Sequence, residues 1–294
     1  MKNRQRKREL TAIAFILPNF LGFICLTLLP VCFSFVLSFC EWNSSNPMKF
    51  VGIDNYVGMI NDETFRISMK NTIIYVLGTV PTTLFLSLGL ALLLNCKIKG
   101  RVFFRSIAFF PYVASLVAVA VVWNNALFHP DMGPVNSLLS ALGVTDPPRW
   151  AASTTWALPT VIGLAIWKSM GYYMVVYLAG LQSVPQELYE AARIDGAGAW
   201  KRFVNITWPM ITPTTFFVSI MLTIGAFKVF DTIYITTQGG PGRATNVLVY
   251  YIYKSAFVSF KFGYASAVAV VLFLIVLLIT IFQFRTEKKF VSYL

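Results

Sequence analysis

The sequence predicts an all-α integral membrane protein with six transmembrane helices and both termini in the cytoplasm. Apolar residues make up 57% of the 294-residue chain and charged residues only 12%, and the mean hydropathy is +0.68. A bilayer core of about 30 Å takes about 20 apolar residues of helix, and six stretches meet that length. These stretches cover residues 11–40, 71–95, 105–127, 156–180, 209–233 and 263–284.

The distribution of Lys and Arg predicts the orientation of these helices. The two tails and every second connecting segment together hold 15 of the 24 basic residues, and the other connecting segments hold seven. Because basic residues accumulate on the cytoplasmic side, we expect cytoplasmic tails at residues 1–10 and 285–294 and a six-helix domain at 11–284. This topology accounts for the net charge of +12. The basic residues do not form a single face, so they do not predict a nucleic-acid partner.

The length of the first apolar stretch argues against a signal peptide, and the few cysteines and the single histidine argue against a metal or catalytic site. Residues 11–40 are too long for the apolar core of a signal peptide, so we interpret them as a retained helix bent at Pro18 or Pro30. The four cysteines lack metal-ligand spacing, and His129 precedes Pro130 in a surface turn. We therefore predict no metal site and no catalytic residue.

A polar stretch, "PQELYEAARIDGAGAWKRFVNITW", fills a predicted cytoplasmic loop at residues 185–208. Pro185 and Glu187 favour the start of a helix, and Gly196 and Gly198 favour its end. Such short helices need a surface to lie against. Periodicity alone leaves two interpretations, an amphipathic loop on lipid headgroups or a docking element for a cytoplasmic partner.

The spacing within this loop resembles the EAA motif of ABC-importer permeases. Glu190-Ala191-Ala192 is followed by Gly196, then by Ile206 and Pro209. Other segments, such as "FFRSIAFFPYV", "IWKSMGYYMVVYLAGLQSVP" and "FKVFDTIYITTQGGPGRAT", are similar to the carbohydrate-uptake, maltose-type branch of that family in the same order. The resemblance covers nearly the whole chain, with Trp208 in place of the usual Leu as a departure.

The resemblance implies type I importer architecture, in which the 185–208 loop sits in a cleft of an ATPase subunit. It assigns this contact to residues of the motif and the turn that follows: Glu190, Ala191, Ala192, Asp195, Gly196 and Gly198. It also implies a second homologous permease subunit, a dimeric ABC ATPase, an extracytoplasmic solute-binding protein and a sugar or oligosaccharide substrate. The setting would be the lipid of a bacterial or archaeal cytoplasmic membrane.

The chain is expected to be a transport subunit that is not itself an enzyme and holds no cofactor. Its Gly-rich "GGPGRATN" lacks the Gly-Lys-Ser/Thr ending of a phosphate-binding loop, so ATP and Mg²⁺ would bind the partner ATPase. The family resemblance makes this segment an outer loop facing the binding protein, with Gly239, Gly240 and Pro241 as the facing residues.

Polar and aromatic side chains inside the spans indicate a substrate path, because burying polar groups in lipid is costly. The candidates are Trp167, Lys168, Tyr172 and Lys228. The alternatives are an ion pair of Lys228 with Asp231, snorkelling or interhelical pairing of Lys168, and ordinary ring packing. The identity of the sugar stays open.

Two other classes of protein fit the sequence less well. An ion-coupled transporter needs titratable groups at membrane depth, and Asp231 is the one acidic residue near a span. A membrane enzyme needs a catalytic arrangement, which cannot be built around a single histidine.

Overall fold

The computed structural model describes residues 2–96 and 98–290, with the backbone alone at 2–9 and 288–290. The predictions for Lys97 and for residues 291–294 of the second tail therefore lie outside the described residues. The helices are α1 Lys2–Phe23, α2 Leu29–Leu37, α3 Asp54–Asn61, α4 Glu63–Asn95, α5 Arg101–Val113, α6 Leu116–Val122, α7 Pro134–Ala141, α8 Ala157–Gln182, α9 Gln186–Ile194, α10 Ala199–Arg202, α11 Trp208–Phe227, α12 Asp231–Thr236, α13 Leu248–Tyr253 and α14 Phe262–Phe290. The two short strands are β1 Cys40–Glu41 and β2 Lys49–Phe50, which pair antiparallel.

Five-residue π-helical turns join or end several of these helices. They lie at Ile24–Leu28, Trp123–Leu127, Phe203–Thr207 and Lys254–Val258, and a 3₁₀ turn covers Trp150–Ala152. The first π turn comes just before Pro30, which lies at the start of α2. Because proline lacks an N–H, the backbone there cannot continue an ordinary α-helical ladder.

The helices confirm the prediction of an all-α membrane protein with six spans, one of which is broken. Five stretches are long and apolar enough to cross a bilayer: Leu10–Leu37, Glu63–Asn95, Ala157–Gln182, Ala199–Phe227 and Phe262–Glu287. A sixth span needs α5 and the segment Leu116–Leu127 together, and these meet at an angle of 99°. The prediction of a continuous helix over 105–127 is therefore wrong.

The predicted end of the fifth span is also wrong. That span was expected to run to residue 233, but α11 stops at Phe227 and α12 starts at Asp231. Lys228 and Asp231 thus flank a break and do not lie on one helix face. The part of the chain that the structure describes has no ion pair between them, and its one salt bridge joins Arg243 and Glu63.

The chain divides into two units, of which the first contains residues up to 62 together with residues 252–273. Its apolar span Leu10–Leu37 packs little within the chain, since only 6% of the apolar window is buried. Asn55 secures the end of this span by donating from its side-chain amide to the Ser38 and Cys40 carbonyls, each at 2.9 Å. The apolar surface of the span is therefore left for lipid or another protein.

The second unit contains the described residues of 63–251 and of 274–290, and its centre is the packing of α4 against α8. A row of buried hydroxyl residues runs along α4. These residues are Ser68, Thr72, Thr79, Thr83 and Ser87. Because such side chains are small, they let two membrane helices approach closely, and α11 completes this core through Ile211, Val218 and Leu222.

Candidate functional site

The 185–208 loop folds into two short helices with a tight turn between them. Pro185 is the N-cap of α9, Glu187 lies in its first turn and Arg193 in its last. These charges match the helix dipole. After Asp195 the chain reverses at Gly196, whose φ is +72°, and Gly198 begins α10 in an extended conformation. Because glycine adopts positive φ without strain, the structure explains the position of Gly196.

One side of α9 is open to solvent and combines acidic, small and apolar side chains. Glu187, Glu190, Ala191 and Ile194 are all exposed and follow the i, i+3, i+4, i+7 spacing of a single helix face. Ile194 is 87% exposed, so this face presents a large aliphatic side chain beside the acidic and small ones. Ala192, expected on the docking face, is half-buried.

The opposite side of α9 is fixed to the membrane core of the same unit. The hydroxyls of Tyr189 and Thr207 lie 2.9 Å apart and share a hydrogen bond. Tyr189 and Ile206 pack against the buried cluster that includes Leu181, Val184 and Ile211. The loop is therefore held in place by the helices before and after it, with the exposed face of α9 presented outward.

The second part of the loop carries exposed aromatic rings. Trp200 is 75% exposed and stacks on Phe203, with the ring centroids 5.8 Å apart. Trp208, the departure from the usual Leu, is also exposed, and its ring lies 6.5 Å from that of Phe203. Tryptophan is enriched at membrane–water interfaces, so these rings suit a position at the headgroup level.

The loop between α12 and α13 is tightly bound to the start of α4. The Asn71 amide donates to the carbonyls of Arg243 and Asn246 at 3.0 and 3.1 Å. The backbone N–H of Leu248 donates to the Thr72 hydroxyl at 2.9 Å, and Arg243 lies 3.3 Å from a Glu63 carboxylate oxygen. The loop is thus a rigid feature of this unit.

Within this loop the predicted binding-protein-facing residues differ in exposure. Gly239 is buried, has a φ of +79°, and leaves no room for a side chain because a Cβ would press into the Tyr250 ring. Gly240 and Pro241 are half-buried, whereas Gly242 and Arg243 are exposed. The surface that a partner could contact is therefore centred one to two residues beyond the predicted site.

We expect Asn71→Ala to loosen this loop. The substitution leaves two carbonyls without their donor, at a cost of about 1–3 kcal/mol in unfolding free energy. Thermal unfolding of the purified protein should then begin several degrees lower. The exposed Asn125 offers a matched control, and an equal effect of Asn125→Ala would contradict the role given to Asn71.

Lys168 lies on α8 and is bound to the backbone of another helix. Its Nζ donates to the carbonyl oxygens of Pro111, Tyr112 and Ala114 at 3.0, 3.2 and 2.7 Å. An ammonium group has three protons, so these contacts use all of them. Of the alternatives considered for Lys168, pairing with another helix is what the structure shows, although the partners are carbonyls and not a carboxylate.

Trp167 and Tyr172 lie on either side of Lys168 and contact rings from the broken span. Trp167 is 5.4 Å from Trp123, and Tyr172 stacks on Tyr112 at 4.6 Å. The indole N–H of Trp123 is buried and has no hydrogen-bond partner in the described part of the chain. Trp123 and Trp167 therefore form one aromatic cluster, with the indole N–H of Trp123 buried inside it.

Lys228 is separate from the α8 group, at the junction of α11 and α12. It is exposed, as is Asp231. The short helix α12 packs against α6 and α8, and the Asn124 amide donates to its last carbonyl, that of Thr236, at 3.1 Å. Among the described residues, contacts join Trp167, Lys168 and Tyr172 to the broken span. Lys228 lies near the start of α12, a helix that packs against α6 and α8.

Comparison with known proteins decides the family. The family model for the binding-protein-dependent transport system inner membrane component matches residues 71–292. The chain belongs to this family. It is therefore a multi-pass permease of an ABC importer, and the type I architecture expected from the sequence is confirmed.

Individual relatives extend the match to nearly the whole permease. The probable ABC transporter permease protein YesP of Bacillus subtilis is 39% identical over 98% of this chain and 94% of its own length. The lactose transport system permease protein LacF of Rhizobium radiobacter is 35% identical over 97% and 96%. A chain of a bacterial alginate ABC transporter, crystallised with an alginate pentasaccharide-bound periplasmic protein, has a TM-score of 0.84 at 26% identity, over 97% of this chain and 96% of that one.

The structure adds residues to the site that sequence reasoning missed. Ile194 was overlooked because an isoleucine in an amphipathic helix normally faces the core. Trp123 sits in an apolar stretch where a tryptophan gives no distinct signal. Gly171, where an added Cβ would overlap the Ala108 carbonyl oxygen of α5, was one of several glycines in the spans. A glycine three residues after Lys168 on the same helix could have suggested a close helix contact at that point.

Proposed function

We propose that this permease imports a sugar or oligosaccharide by alternating access, driven by a separate ATPase that docks on the 185–208 loop. The exposed face of α9 carries this proposal, because it presents Glu190, Ala191 and Ile194 on a helix that its own unit holds in place. Small side chains allow close approach of a partner, and Glu190 can pair with a basic group. The glycine turn at 196–198 shapes the end of the docking surface.

In this proposal the 185–208 loop and both termini face the cytoplasm, where the ATPase and its nucleotide are found. The excess of basic residues in the segments on that side supports the orientation. The loop around Gly239–Pro241, with Gly242 and Arg243 at its surface, then faces the binding protein outside. ATP and Mg²⁺ belong to the ATPase, and this chain contributes the path.

The assembly that we propose contains this permease, a second homologous permease, two ATPase subunits and the binding protein, in a bacterial or archaeal cytoplasmic membrane. The exposed apolar surface of Leu10–Leu37 supports an apolar neighbour such as a second permease or lipid. ATP binding would bring the two ATPase subunits together and carry their docked loops with them. Rigid-body motion of the spans would then turn an inward-open path outward.

The substrate class rests on the aromatic cluster and on the relatives. Trp123 and Trp167 bring two aromatic rings together, and such rings suit the apolar face of a sugar. The named transport systems handle lactose and alginate, one neutral and one acidic. Lys168 does not favour an anion, because its protons are already used by carbonyls.

Reconstitution tests the proposal. The permease, its partner permease, the ATPase and the binding protein are assembled in proteoliposomes, and we expect ATP hydrolysis and sugar uptake that both depend on a loaded binding protein. Omitting the binding protein is the control. Uptake by this chain alone, abolished by an ionophore, would instead identify an ion-coupled transporter.

A further inference from the structure

The second half of α5, up to its break from α6, contacts α8 at three positions. We propose that Lys168, assisted by Gly171, is a positioning residue that makes the broken span move together with α8 and the 185–208 loop. The inference rests on the proposed function for its role in transport. The attachment itself rests on contacts within a single structural unit.

The first contact is electrostatic and satisfies the end of a helix. At Ala114 the backbone turns to an extended conformation, so the last carbonyls of α5 lose their partners within the helix. The Lys168 ammonium supplies protons to three of these carbonyls, at 2.7 to 3.2 Å. A positive charge at a helix C-terminus is also favoured by the helix dipole.

This contact lies deep in the predicted membrane span. Lys168 lies 11 residues beyond Ala157, the first residue of α8, which corresponds to roughly 16 Å along the helix. That is near the middle of a hydrocarbon core of about 30 Å. Carbonyls freed at this depth need partners from the protein or from water in a cavity, and the Lys168 ammonium is the partner that this structure provides.

The second and third contacts fix the direction of α5 along α8. A Cβ on Gly171 would overlap the Ala108 carbonyl oxygen and lie 2.9 Å from Phe109 Cα, so the two helix backbones touch there. One residue further on, Tyr172 stacks on Tyr112. The three positions 168, 171 and 172 hold α5 from its last turn back to its middle.

The same helix leads directly to the docking loop. Three residues, 183–185, separate the end of α8 from α9, and Val184 among them is buried in the core cluster. Because this connection is short and packed, a displacement of α9 moves the end of α8 with it. Movement imposed on α9 by a partner therefore reaches α8, and through Lys168 it reaches the break.

Lys168→Met tests the inference in the complete transporter. Methionine keeps an unbranched side chain but removes the three donated bonds, so we expect uptake per ATP hydrolysed to fall about tenfold or more. ATP hydrolysis stimulated by the loaded binding protein is measured beside uptake, so that a loss of coupling is told apart from a loss of ATPase docking. Lys168→Arg should restore part of the coupling, and Ser169→Ala is the neighbouring control because its hydroxyl bonds only within α8.

A pair of glycine substitutions separates close packing from general stability. Gly171→Ala should uncouple uptake from ATP hydrolysis in the same direction as Lys168→Met. Gly163→Ala, on the same helix, should not, because a Cβ there meets nothing within 4 Å. Equal effects of the two alanines would count against the attachment.

Distances between spin labels test whether α5 and α8 move together, even if Lys168→Met fails to assemble. Val113 on α5 and Val175 on α8 are both exposed and can carry labels. In the wild-type permease we expect the same distance in nucleotide-free and ATP-bound states, because α5 and α8 move as one body. A shift of several ångström between the two states, or undiminished coupling in Lys168→Met, would overturn the inference. A wild-type transporter whose ATPase activity does not respond to the binding protein would overturn only the proposed function.

Discussion

Glu190→Arg abolishes sugar uptake by the reconstituted transporter, with an expected loss of a hundredfold or more. Glu190 is exposed on the face of α9 that also carries Ile194. Reversing its charge removes one member of an ion pair that docking would bury and places two like charges together. Breaking such a pair costs about 3–5 kcal/mol, and each 1.4 kcal/mol corresponds to about tenfold in binding.

The measurements for this variant are copurification of the ATPase with the permease and uptake in proteoliposomes. Both should fail, while the permease itself stays folded, because Glu190 makes no hydrogen bond or ion pair in the described structure. Asp146→Arg is the control, since it changes the net charge equally at an exposed residue between α7 and α8. Normal assembly and uptake by Glu190→Arg would show that the loop is not the docking element.

The fold of the 185–208 loop was readable from the sequence because its signals are local. Pro185, Glu187 and Gly196 each act on the few residues around them, and the structure puts a helix start, a first turn and a positive-φ turn at these positions. The six apolar stretches were readable for the same reason, since a bilayer imposes a length that hydropathy reports directly.

The break in the third span was not readable because its cause lies far along the chain. No glycine or proline stands at Ala114–Ser115, and Pro111 is accommodated inside α5. Hydropathy therefore predicts a continuous helix. What permits the break is Lys168, which lies more than fifty residues later and supplies the missing hydrogen bonds. A tertiary contact of this kind overrides local preference.

The path candidates show a related limit of sequence reasoning. Lys168 was selected because a charge inside a span indicates function, and the structure gives that charge a partner in the backbone. Trp167 and Tyr172 contact rings of the broken span, a fact that periodicity on α8 alone does not contain. Which surfaces face the substrate depends on the partner permease as well as on this chain.

Gly180→Ala should reduce uptake about tenfold by separating α8 and α11, the two helices that flank the 185–208 loop. Gly180 lies on α8, two residues before its end, and faces Thr214 on α11. A Cβ at Gly180 would overlap the Thr214 hydroxyl oxygen and lie 3.0 Å from its Cβ. Forcing an extra carbon into such a contact costs about 1–3 kcal/mol, and the strain falls on the helices that fix the position of α9.

A second substitution makes this prediction specific. Thr214→Ala removes the hydroxyl and methyl groups that the new Cβ would meet, so the double variant should regain most of the uptake that Gly180→Ala loses. Gly225→Ala on α11 is the control, because a Cβ there has nothing within 4 Å. Uptake and ATPase stimulation by the loaded binding protein are measured for all four proteins. Losses that simply add in the double variant would mean that the two residues act independently, and the contact between α8 and α11 would then not be what holds the docking loop in position.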